Sequence, residues 1–185
     1  MRALATTAAL FSLTLAGCSG EAPSAPATID SELPELSRWE WSATQPRPIV
    51  GRCETSFNRP PFPPPPVHNQ ADTGVCWISH LGRTQVVSQQ DINFAAGTQT
   101  GSRTFTAANG DKLYATHVGT SALTAPGRVG FSATLTFTGG TGRFEHATGQ
   151  AFAKGEANQA TATASFIMAG LIVYDASNRG IERDR

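Results

Sequence analysis

Two side chains in the middle of the chain have the chemistry for acid–base work: His117 in "YATHVGT" and Asp91 in "SQQDINF". A titratable group in a strand that packs against a core is costly unless it is paired or used, so each marks a place to look for a polar group facing a cavity. His117 shares a strand face with Leu113 and Ala115, and His80 shares one with Ile78, while Glu54 falls in a similar run. The commoner outcome for any one of them is a structural role, satisfied by neighbours. No hydroxyl nucleophile stands beside a base, so the sequence assigns no catalytic residue and leaves His117 and Asp91 as the only candidates. Glu145 and His146 belong to a turn and are expected in solvent, and Tyr114, Tyr174 and Trp77 read as wall aromatics.

The most distinctive stretch is "FTGGTGRFEHATG", residues 137–149. Glycine-rich loops cradle phosphate when a strand feeds a helix N-terminus and a lysine and hydroxyl follow at fixed spacing. Here a strand pattern resumes within a few residues and no Gly-Lys-Ser/Thr follows. A structural corner is the better reading: Gly139, Gly140, Gly142 and Gly149 permit tight, positive-φ backbone, and Phe144 can tuck beneath it.

Three cysteines bear on location. Residues 1–17 begin with Arg2 and continue through an apolar run too short to span a bilayer, the pattern of a signal peptide. The run closes on Leu15-Ala16-Gly17-Cys18, which resembles the lipobox of bacterial lipoproteins and implies lipidation of Cys18; ordinary secretion is the alternative. Residues 18–47, rich in Pro, Ala, Ser and acidic side chains at their start, read as a tether. Stable anchoring needs more than one acyl chain. With Cys18 assigned to lipid, Cys53 and Cys76 most simply pair as a disulfide in an exported chain. A metal reading finds only His68 and His80 nearby, which gives no recognised zinc pattern, and no cofactor motif is present. Between the two cysteines, residues 58–70 hold six prolines and read as a rigid polyproline loop.

The elements that must position these residues are strands. From Gly74 onward the apolar period is two, with no helical stripe. In "RVGFSATLTF", Val129, Phe131, Ala133, Leu135 and Phe137 share a dry face, and Gly130, Ser132, Thr134 and Thr136 a wet one. Eight segments fit: 49–57, 75–81, 84–94, 98–107, 112–121, 128–137, 149–156 and 161–174. Asn109-Gly110 suits a type I′ hairpin between two of them. Consecutive hairpins favour an all-β, single eight-stranded antiparallel up-and-down barrel over residues 48–176, with a two-sheet sandwich as the alternative and 177–185 as a flexible tail. Small residues (Ala133, Ala151, Ala153, Ala162, Ala164, Gly170) accompany Phe131, Leu135, Phe137, Phe152, Phe166, Met168 and Ile172 on the inner set. Either a cavity lined by Phe131, Leu135, Phe137, Phe166 and Met168 takes a small apolar ligand, or a tapered barrel is fully packed. One residue of register shift would exchange the faces. Fourteen basic residues against fourteen acidic ones leave no electrostatic footprint for nucleic acid.

The run "FTGGTGRFEHATGQAFAKG" followed by "ATATASFIMAGLIVY" resembles the closing region of the allene oxide cyclase and dirigent barrel superfamily. Residues 79–120 are similar to uncharacterised exported bacterial proteins that share that turn, and the match to that group covers roughly residues 48–175. The resemblance implies an eight-stranded antiparallel barrel whose plant relatives cyclise an unstable epoxide or steer phenoxy-radical coupling in a central cavity. The positions that carry those activities do not map onto this chain residue by residue. Three functions follow as expectations: a membrane-anchored envelope barrel that binds a small apolar molecule without catalysis; an enzyme with His117 or Asp91 as its polar group; or a structural envelope lipoprotein. The membrane, reached through the lipid anchor, is the expected partner, and no strand face in the sequence identifies an oligomer interface.

Overall fold

The computed structural model describes residues 45–61 and 65–175. The signal peptide, Cys18, most of the tether, the three central residues of the proline loop and the C-terminal tail therefore lie outside the described residues. Eight strands run β1 Arg47–Phe57, β2 Val67–Ile78, β3 Gly82–Asn93, β4 Thr98–Thr106, β5 Lys112–Ala125, β6 Arg128–Gly140, β7 Thr148–Asn158 and β8 Thr163–Val173. Each pairs antiparallel with the next, and β1 pairs with β8, so the sheet closes into an up-and-down barrel. Closure satisfies the edge groups that an open sheet would leave exposed.

Period-two patterning drives the elements as expected. In β3, Thr84, Val86, Ser88, Gln90 and Ile92 are buried while Gln85, Val87, Gln89 and Asp91 are exposed. In β6, Ala133, Leu135 and Phe137 are buried, and in β8 Phe166, Met168 and Ile172. Two details differ from the sequence reading. Strand β2 begins at Val67, directly after the last proline, because only the prolines lack the N–H needed for pairing; residues 67–70 therefore belong to the sheet and not to the loop. Asn109-Gly110 does not form a type I′ turn. Ala107 N–H donates to Asp111 O and Gly110 N–H to Ala107 O, with Gly110 alone at positive φ, a three-residue loop held by the Asn109 side chain on Asp111.

Phe152 is also placed differently: it is exposed on the outside, because its neighbours Ala151 and Ala153 take the inward positions of β7. Ala162 sits in the β7–β8 turn at positive φ and is exposed.

The two barrel ends are unlike. At one end the turns after β2, β4 and β6 meet the start of β1 and the end of β8. Phe144, on a single 3-10 turn at Gly142–Phe144, is fully buried there and packs on Tyr174 at 5.1 Å between ring centroids, in one core cluster with Leu81, Ala107 and Leu113. Thr141 ties the corner to β5: its N–H donates to Lys112 O and its Oγ1 accepts from Lys112 N–H. Arg143 lies over the Phe144 ring at 4.9 Å and donates to His80 O. The glycine corner thus lies at the closed end, where the N–H groups of Thr141, Phe144, Glu145 and Ala147 all donate to protein carbonyls. At the other end lie the end of β1, the start of β2 and the turns after β3, β5 and β7, around an opening into the interior.

Candidate functional site

The interior is divided by strand. β6, β7, β8 and β1 contribute apolar side chains, whereas β2 to β5 contribute nearly all the buried polar ones. Pairing sets these out in two adjacent rungs. In one, Asp72 of β2, Ser88 of β3, Arg103 of β4 and Ala115 of β5 are successive partners; in the next, Gln70, Gln90, Gly101 and His117. A Cβ at Gly101 would approach Gln90 Cα to 2.7 Å, so the glycine leaves β3 close to β4 with no side chain between Gln90 and His117.

The Asp72 carboxylate organises the group. Gln70 Nε2 donates to Oδ1 at 2.7 Å and Gln90 Nε2 donates to Oδ2 at 2.9 Å. With its amide nitrogen so engaged, Gln90 presents Oε1 to His117 Nε2 at 3.0 Å, which places the imidazole proton on Nε2 and leaves a bare, buried Nδ1 with no partner. Burial and, second to it, the charge of Arg103 push the His117 pKa down to about 3, so the ring is neutral. Burial raises the Asp72 pKa, and the Gln70 hydrogen bond, the Arg103 charge and the nearby Ser88 hydroxyl offset part of that rise. Burial lowers the Arg103 pKa, with Asp72 opposing.

Arg103 stands apart within this group. It is 6% exposed, yet it forms no ion pair with Asp72; the ion pairs among the described residues are Arg128–Glu156 and Arg143–Asp111. Its Cζ lies over the Phe166 ring, 4.7 Å from the centroid, and its Nε is buried without an acceptor. Gln99 Nε2, four residues back on the same strand, is likewise buried and unpartnered.

Arg103 and Asp72 lie on the floor of a cavity of about 40 Å3 at the open end, walled by Ile92, Val129, Phe131, Ala157 and Phe166. Of the five residues expected to line a cavity, Phe131 and Phe166 do so, meeting edge to face at 6.1 Å. Leu135, Phe137 and Met168 are instead packed in the core nearer the closed end.

His117 is buried but does not line the cavity. Asp91 faces outward and accepts a hydrogen bond from Asn69 Nδ2 at 2.9 Å; the inward carboxylate is Asp72. Glu54 is exposed, and His80 occupies the β2–β3 turn with Nε2 on Pro48 O at 2.9 Å. Sequence reasoning missed Asp72, Arg103 and the three glutamines. The signal for Arg103 was its parity with Phe105, which puts both on the buried face of β4.

Cys53 and Cys76 form a disulfide between directly paired positions of β1 and β2. Among the described residues no group of three or more His, Cys, Asp or Glu is arranged to hold a metal ion. No family model matches the chain, and neither a curated protein nor a solved structure matches it.

Proposed function

We propose that this protein is an extracytoplasmic, non-catalytic β-barrel that receives a small molecule through its open end. The observation that carries the reading is the cavity of about 40 Å3 at that end, whose polar floor is left partly unmatched by the protein itself. A few convergent polar groups beneath apolar walls are the usual construction of a small-molecule site. Catalysis is not supported, because the neutral His117 spends its donor on Gln90 and stands away from the cavity.

The disulfide supports export, since such bonds persist in oxidising compartments. The leader and its lipobox-like end extend this to a lipid anchor on Cys18 in the cell envelope. An eight-stranded barrel with the glycine corner at its closed end supports kinship with the cyclase and dirigent superfamily, as a shared scaffold without its chemistry. The small volume favours one rival, a structural envelope barrel with an almost filled interior.

Native mass spectrometry of protein recovered from its own host separates the two. The expected spectrum shows an acylated N-terminus at Cys18 and a co-purifying small molecule released on activation. Bare protein in every preparation would leave the structural role, and an unmodified terminus downstream of Cys18 would remove the anchor.

A further inference from the structure

Polar atoms around the cavity are not randomly unmatched. Of the acceptors bordering the cavity, both Asp72 oxygens receive amide N–H groups and Gln90 Oε1 receives the His117 proton, while the unpartnered His117 Nδ1 lies away from it. What lacks a partner is a set of donors, Arg103 Nε and Gln99 Nε2, with the Ser88 hydroxyl, directly opposite Arg103, making no well-formed hydrogen bond of its own. A buried guanidinium N–H left without an acceptor is costly, and each such group calls for an explanation, a bound group among them. The Phe166 ring lies beneath the Arg103 Cζ at 4.7 Å. The Arg103 Nε–H has no acceptor, and a guanidinium N–H edge suits a planar two-oxygen acceptor.

Resting on the ligand-binding reading above, we infer that the cavity takes the carboxylate of a small organic monoacid on Arg103, with the acid's apolar body against Phe131 and Phe166. The charge balance selects the class. One cation lines the cavity and Asp72 lies on the same floor, so a dianion such as phosphate meets too little positive charge. Both Asp72 oxygens are taken by Gln70 and Gln90 and Asp72 forms no ion pair with Arg103, so a neutral alcohol or amide would give the guanidinium no charged acceptor of its own. The volume agrees: about 40 Å3 is room for roughly three waters, enough for a carboxylate head but not for a whole molecule, so the body extends toward the mouth past Ile92 and Val129.

The test is a titration of the full 15N-labelled protein, following the Arg103 Nε–Hε resonance as propionate, hexanoate and benzoate are added, beside the matching primary amides. Inorganic phosphate and chloride serve as anion controls, and Arg103→Met assigns the resonance. The expected result is a saturable shift with the acids, amides at least tenfold weaker, and, followed on the backbone amides of β3 and β4, loss of that preference in R103M. Equal affinity for acids and amides in the wild type overturns the carboxylate inference while leaving a ligand-binding barrel intact. A phosphate or chloride response as strong as that of benzoate overturns the organic-acid class. No saturable shift from any probe overturns the inference outright, whereas the broader reading stands or falls on the co-purifying mass. The wild-type comparison decides the matter even where R103M does not fold.

Discussion

At the scale of single residues, burial of three ionisable side chains makes stability depend on pH in opposite senses. His117 has its pKa pushed down to about 3 by burial and the Arg103 charge, from an ordinary 6.5. The unfolded chain therefore takes up the proton first, and stability present above pH 6.5 is lost as the pH falls toward 3. Asp72 works the other way. Its raised pKa means the folded chain holds the proton more tightly, so its contribution is complete below pH 3.8 and is lost as the pH rises through the folded pKa. His117→Leu isolates the first effect. Urea unfolding from pH 7 to 4 is expected to show the wild type losing ground to H117L by up to about 1.4 kcal/mol per pH unit below 6.5. Parallel profiles for the two proteins would show that the imidazole does not titrate as its surroundings dictate.

At the scale of elements, the glycine corner closes the barrel by steric fit, which gives its glycines different weights from those of an ordinary turn. A Cβ at Gly140 would lie 1.9 Å from Lys112 O and 2.9 Å from Phe144 Cβ, so both the pairing with β5 and the plug beneath it would have to move. Gly110 has φ of +90° but nothing within 4 Å of its would-be Cβ. Gly140→Ala is accordingly expected to cost about 2 to 3 kcal/mol, and Gly110→Ala about 1 kcal/mol, the backbone strain alone. Equal losses in chemical denaturation would contradict the steric account of the corner. The strands themselves were legible because alternation in runs such as residues 128–137 admits no other regular structure. The start of β2 was not, since Val67–Gln70 follow six prolines and carry a histidine, an asparagine and a glutamine that look like loop. Tertiary pairing with β3 overrides that local impression.

The whole molecule explains why the site was harder to read than the fold. A barrel has one inside, and once β6 is set with Phe131, Leu135 and Phe137 inward, hydrogen-bond register fixes the facing of all other strands. Register is a property of pairs, so a single strand such as "TQTGSRTFT" does not declare whether Arg103 points in or out. Asp91 and Asp72 illustrate the consequence: the carboxylate flanked by glutamine and isoleucine faces solvent, and the one flanked by alanine and threonine faces the core. Closure also sets the order of stability. The β1–β8 seam joins segments more than a hundred residues apart, the most remote pairing in the barrel, and β1 is secured on its other side by the Cys53–Cys76 bond to β2. Crosslinking positions 23 apart in sequence contributes about 3 kcal/mol through the unfolded chain. A Cys53→Ala/Cys76→Ala double variant is therefore expected to lose about that much in guanidinium unfolding. Amide exchange should locate the loss: protection in β1 and β8 is expected to fall well before that in β4 and β5, whose hairpin needs no distant partner to form. A uniform fall across all eight strands would mean that the barrel opens only as a unit and that the seam has no weakness of its own for the disulfide to cover.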